Sequence, residues 1–202
     1  MRTRWKHRWI AASLGAAAFA AASPGALSAG PECTISGTDG DDRPRGIALR
    51  DVICGFRGDD VIRGLDGIDV IRGGPGDDTI YGNLNHDFIY GGRGSDFLIP
   101  GEGGDIIDGE EGRDYSSVTS DGNDTWEGGA GSDHLTDFNG TDVIEGGRGN
   151  DACLATRDMH GGDTLRGGLG HDIWDADNSD HVARSAEERI QCYAERRAAR
   201  TT

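Results

Sequence analysis

The chain has 202 residues, 35 of them glycine, with apolar residues at only 35% and a formal net charge of -16. That length holds one domain or one repeat array with no room for a second large domain, and the apolar share is thin for an ordinary globular core. A carboxylate excess with Lys6 as the sole lysine argues against nucleic acid, which needs clustered Lys and Arg, and favours cations.

In chain order, the first segment is MRTRWKHRWIAASLGAAAFAAASPGALSA. A basic start (Arg2, Arg4, Lys6, Arg8), an Ala-rich apolar run from about Ile10 to Ala22 and small residues around Ala26 and Ser28 have the layout of a cleaved secretory signal, expected over residues 1–28. The apolar run falls short of the roughly 20 residues a membrane span needs, and no later segment is apolar enough. An extracellular protein is therefore expected, with cell-surface association a further option. Cleavage would remove four positive charges and no negative ones, so export and acidity go together.

All four cysteines (Cys33, Cys54, Cys153, Cys192) lie beyond that segment, and an even number in an oxidising compartment predicts two disulfides. Three pairings are open. Proximity favours Cys33 with Cys54 and Cys153 with Cys192, each closing one end of the array. The spacings fit no zinc site.

From Gly37 onward the chain is one phrase repeated. The units GTDGDDRPR, GIALRDVIC, GFRGDDVIR, GLDGIDVIR, GGPGDDTIY, GNLNHDFIY, GGRGSDFLI, PGEGGDIID and GEEGRDYSS run without a gap to Ser117. After Val118 come TSDGNDTWE, GGAGSDHLT, DFNGTDVIE and GGRGNDACL; after Ala155 to Arg157 come DMHGGDTLR and GGLGHDIWD. The sixth residue of each is aspartate: Asp42, Asp51, Asp60, Asp69, Asp78, Asp87, Asp96, Asp105, Asp114, Asp124, Asp133, Asp142, Asp151, Asp163 and Asp172. The frame was set on that column, so the others test it: the fourth residue is glycine except at Leu49 and Asn85, and the eighth is apolar except at Pro44 and Ser116.

Glycines at the first, second and fourth positions allow positive φ and close backbone approach, which predicts a turn over the first six residues. The last three, such as Thr79-Ile80-Tyr81, are β-formers too few to make a free strand, so they must stack on copies of themselves. Two units then close one coil, and the eighth residues are buried between two short parallel sheets. Units two apart share an edge, which puts Asp60, Asp78, Asp96 and Asp114 in one column and Asp51, Asp69, Asp87 and Asp105 in the other. Carboxylates about 5 Å apart repel unless a cation sits between them. Oxygen-only ligands on flexible turns favour calcium over magnesium, which demands tighter geometry, and over zinc, which prefers His and Cys.

The pattern G-G-x-G-x-D-x-U-x over Gly37 to Asp175 resembles the nonapeptide repeat of the RTX, or haemolysin-type, calcium-binding proteins. That resemblance implies an all-β fold, a right-handed parallel β-roll or β-solenoid, occupying residues 29–182. It further implies that the fifteen aspartates and the carbonyls of glycine-shaped turns hold several Ca2+ ions, with Gly58, Gly67, Gly76, Gly94, Gly131, Gly149 and Gly170 among the turn residues. Weaker or missing ions are expected where the pattern lapses: Arg43-Pro44-Arg45, Leu49, Asn85, Tyr115-Ser116-Ser117 and the two insertions, which are expected to interrupt the stacking.

The eighth-position Trp126 and Trp174 read as core, and Tyr81 and Tyr90 as edge packing. His86, His134, His160 and His171 fall at variable positions, and no HExxH, GxSxG or P-loop is present, so no enzyme is expected. The segment SAEERIQCYAERRAAR begins with a capping box, Ser185 and Glu188, which predicts a short helix within 183–202 covering the last coil. Together these features predict a secreted calcium-binding protein that folds on binding its ions and has a structural, adhesive or cell-surface role toward a surface or polysaccharide partner. The alternative is a calcium-dependent accessory module or the remnant of an exoenzyme.

Overall fold

The computed structural model describes residues 32–116, 122–137, 139–156, 162–176, 181–182 and 188–189. The expected signal segment, and Cys192 with its expected bond to Cys153, lie outside the described residues.

Among the described residues every regular element is a strand, as nine-residue units with three β-formers each require. The first are β1 (Ile35–Ser36), β2 (Val52–Cys54), β3 (Val61–Asp66), β4 (Val70–Pro75), β5 (Thr79–Leu84) and β6 (Phe88–Gly94). Next come β7 (Phe97–Glu102), β8 (Ile106–Gly112), β9 (Tyr115–Ser116), β10 (Thr125–Glu127), β11 (Ala130–Gly131) and β12 (His134–Asp137). The last are β13 (Val143–Arg148), β14 (Ala152–Thr156), β15 (Thr164–Leu169), β16 (Ile173–Ala176), β17 (His181–Val182) and β18 (Glu188–Arg189).

From β2 onward the strands alternate between two wholly parallel sheets, except that β11 follows β10 in the same sheet. One runs β1-β2-β4-β6-β8-β10-β13-β15-β17, with β11 beside β8 and β13; the other runs β18-β16-β14-β12-β9-β7-β5-β3. The expected parallel β-solenoid is therefore the fold. Ile62 stands opposite Ile80 and Ile80 opposite Leu98, so each eighth residue stacks on the eighth residue of the next coil. Ile53, Ile62, Ile71, Ile80, Ile89, Leu98, Ile107, Trp126, Leu135, Ile144 and Leu165 form one buried file between the sheets. A period of two along each strand turns these residues inward together with the first glycine of the following unit.

The insertions do not interrupt the stacking. Coil length grows from 18 residues to 19 across Val118 and to 21 across Ala155 to Arg157, and the pairing resumes in register each time. Part of the second insertion is a bulge in β14: His134 lies opposite Ala152 but Thr136 opposite Ala155. As a result Leu154, not Cys153, stands in register with Trp174. In the first unit Arg43-Pro44-Arg45 does prevent a strand, and only an isolated bridge from Arg45 to Arg63 remains.

At the N-terminal end Cys33 and Cys54 are disulfide-bonded, with Cα atoms 5.9 Å apart, against Val52 and Val70 on the outer side of the first sheet. At the other end the expected capping helix needs correction. Glu188–Arg189, inside the proposed helical segment, is strand β18, paired in parallel with Ile173 and Trp174 of β16. The open edge of β16 offers unpaired backbone groups that local capping-box chemistry does not outweigh. The remainder of that segment lies outside the described residues.

Candidate metal centre

From Asp51 onward each sixth-position aspartate ends a turn and enters a strand with its side chain turned inward. Apart from Asp42 at the end of the array, the other fourteen are buried, although carboxylates are almost never buried without partners. Their Oδ1 atoms are accounted for by a ladder. The amide of Asp60 donates to Oδ1 of Asp78 at 2.8 Å, Asp78 to Asp96 at 2.8 Å and Asp96 to Asp114 at 2.9 Å. The column continues through Asp133 and Asp151 to Asp172. The second column runs from Asp51 through Asp69, Asp87, Asp105, Asp124 and Asp142 to Asp163 in the same way.

The second carboxylate oxygen is a different matter. Oδ2 of Asp60, Asp69, Asp78, Asp87, Asp96, Asp105, Asp114, Asp133, Asp151 and Asp172 is buried with no hydrogen-bond partner. An unpaired buried charge costs several kcal/mol, on the order of what a whole coil gains from its apolar contact. Burial, opposed by the ladder amides and reinforced by neighbouring carboxylates, pushes Asp78 and Asp151 up to about 6. The same cause raises Asp87, Asp96, Asp105 and Asp133 to about 7 and Asp114 to about 8. Oxygen-only, desolvated, anionic acceptors repeated along an edge suit a hard cation and not a zinc-type ion.

Of the two reasons the sequence offers, positive φ and close backbone approach, the second is the one that fixes the first-position glycines. A Cβ on Gly73 would collide with Oδ2 of Asp78 and with the Gly91 carbonyl oxygen one coil on; Gly55, Gly91 and Gly146 repeat the arrangement. Of the turn glycines singled out in the sequence, Gly58, Gly67, Gly76, Gly94, Gly149 and Gly170 hold positive φ. Gly131 does not, and is required instead by the Gly112 carbonyl that a Cβ would strike. Asn85 keeps the left-handed turn with φ of 74°, a conformation Asn tolerates, so this unit retains the geometry of its neighbours. Ser116, polar in the apolar column, is buried and accepts the Thr136 amide at 2.6 Å.

Two features escaped the sequence reading. Fifth-position side chains form an outer ladder of opposite sense: the amides of Asp77 and Ser95 donate to Oδ1 of Asp59 and Asp77, at 2.9 and 2.7 Å. The other is Asp137, which stands first in its unit where most units have glycine. It is fully buried, accepts the Trp126 Nε1–H at 3.0 Å, and brings a third carboxylate within 4.8 Å of Asp124 and Asp142. The aspartate at the head of DFNGTDVIE was the visible signal. Tyr81 and Tyr90 are covered by Arg63 and Arg72, whose guanidinium carbons lie 4.8 and 5.5 Å from the ring centres, in keeping with a packing role.

The RTX calcium-binding nonapeptide repeat matches the chain in four copies, three that overlap at residues 55–89, 63–98 and 81–115 and a fourth at 118–152. No curated protein matches the chain.

Proposed function

We propose, for a chain whose repeats belong to the RTX calcium-binding nonapeptide-repeat family, that it is a secreted protein which folds by binding several Ca2+ ions along the two edges of its β-solenoid. The observation that carries this reading is the set of ten buried, partnerless Oδ2 atoms standing in register on both edges. The residues that would hold the ions are the sixth-position aspartates of those units, together with carbonyls of their glycine-shaped turns. Bound calcium supplies the positive charge that lets stacked carboxylates stay ionised away from water.

The chain's own residues do the rest. The Oδ1 ladder fixes each carboxylate, and the first-position glycines make room for Oδ2. The eighth-position file holds successive coils in register. Since the ligands come from separate turns, no site exists in the unfolded chain, and binding free energy becomes folding free energy. Extracellular modules bind calcium at about 10⁻⁴ to 10⁻³ M, so folding would follow export. A repeat-only solenoid supports a non-catalytic module, used as a structural or adhesive rod at a cell surface or on a polysaccharide.

Circular dichroism during calcium titration of the full chain tests this: β signal should rise cooperatively near millimolar calcium and collapse on chelation. A spectrum that calcium leaves unchanged would reject the reading.

A further inference from the structure

The ten partnerless carboxylate oxygens coincide with one backbone feature. In their units the second residue is Phe56, Leu65, Gly74, Asn83, Gly92, Gly101, Glu110, Gly129, Gly147 or Gly168, and every one has positive φ. Six are glycine; Phe56, Leu65, Asn83 and Glu110 take the left-handed conformation at a cost of about 1–2 kcal/mol for an ordinary side chain. Thr38 and Ile47, second in the first two units, are not in that conformation. There the turn closes on its own aspartate. Oδ2 of Asp42 accepts the Thr38 amide at 2.6 Å and its hydroxyl at 2.7 Å, and Oδ2 of Asp51 accepts the Ile47 amide at 2.8 Å. Thr34 adds a hydroxyl to Oδ1 of Asp51.

We infer that in these twelve units the second residue is a switch between two kinds of turn. Left-handed, it keeps its amide away from Oδ2 and leaves that oxygen for a cation; in the ordinary conformation its amide takes the cation's place. The cation columns then begin at Asp60 and Asp69, and Asp42 and Asp51 are hydrogen-bonded caps that end the solenoid without an ion. A terminal site would have a coil on only one side, and these turns remove the need for one. This assignment rests on the calcium reading above and refines it residue by residue.

The test is the number of Ca2+ ions bound per chain, by equilibrium dialysis of the full-length protein, with the fold at saturating calcium followed by circular dichroism. Asp51→Asn should bind as many ions as the wild type, and Asp69→Asn at least one fewer. Because Asp51→Asn also removes a charged acceptor of the Ile47 amide from the first coil, a second variant, Ile47→Gly with Leu49→Gly, gives that turn glycine at both flexible positions; it should bind more calcium than the wild type. Equal losses from Asp51→Asn and Asp69→Asn, or no gain in the double variant, would overturn the cap assignment while leaving calcium binding intact. A wild-type chain that binds no calcium would instead remove the reading beneath it.

Discussion

The amide of Asp78 donates to Oδ1 of Asp96 at 2.8 Å, while Oδ2 of Asp96 is buried without a partner. One carboxylate is thus half held by protein and half left to something else, and the same division recurs along both edges. The first consequences concern protons, which compete with cations for that oxygen.

With desolvation dominating, Asp78, Asp87, Asp96, Asp105, Asp114, Asp133 and Asp151 lie at about 6 to 8 in the ion-free fold, against an ordinary 3.8. Groups raised on folding bind more protons folded than unfolded, so their contribution is fully present below about pH 4 and is lost as pH rises through 6 to 8. The ion-free chain should therefore gain β signal on acidification from pH 8 toward 5. Calcium requires the ionised form, so binding near neutral pH should release protons, measurable as a buffer-dependent heat by calorimetry. An ion-free spectrum that is flat from pH 8 to 5 would contradict the buried-carboxylate account.

Two glycines that look alike in sequence should behave oppositely. Gly73→Ala places a methyl against Oδ2 of Asp78 and the Gly91 carbonyl, a rigid surface that cannot give way. A loss of about 1–3 kcal/mol, or more, is expected. Gly40→Ala meets nothing within 4 Å and carries no positive φ, so it should be nearly neutral. Calcium midpoints from circular dichroism should shift clearly to higher concentration for Gly73→Ala alone.

Why one part of this was legible and another was not follows from the period. Apolar residues at a strict nine-residue spacing have one way to face each other, so Ile62, Ile80 and Leu98 identify the buried file, and the sixth aspartates identify the edges. The second column is different, because Phe56 and Leu65 are left-handed while Ile47, of the same chemical class, is not. What differs is the preceding coil: the turns of Phe56 and Leu65 pack through Gly58 and Gly67 on Gly40 and Leu49 of the coil before them, whereas the first two turns have no described coil before them. The C-terminal segment shows the same limit, since Ser185 and Glu188 spell a helix start but the edge of β16 pairs with Glu188–Arg189. Tertiary pairing overrides local propensity there.

Trp126→Phe should be costly for a reason its apolar position hides. The indole Nε1–H is a buried donor to Asp137, whose carboxyl is raised well above the usual range by burial and by Asp142 and Asp124. Phenylalanine retains most of the packing but removes that donor, at a cost of about 1–3 kcal/mol. Trp126→Phe paired with Asp137→Gly, which restores the residue common at that position, should recover part of the loss. Thermal melts of the three variants at saturating calcium would show it; a double variant no better than the single would count against the buried pair.

The disulfide predicts a local effect. Cys33 and Cys54 close a span of 21 residues around the first turns, and a bridge of that length is worth about 3 kcal/mol through the unfolded chain. Both cysteines belong to the first coils, on the side of Val52 and Val70 away from the buried file. Replacing both with serine should therefore speed hydrogen exchange at the amides of Thr34 and Gly37, which pair with Val52 and Cys54 carbonyls, before it affects Phe88 or Phe97. Uniform acceleration along the whole solenoid would mean that the bridge stabilises the array globally and not its first coil.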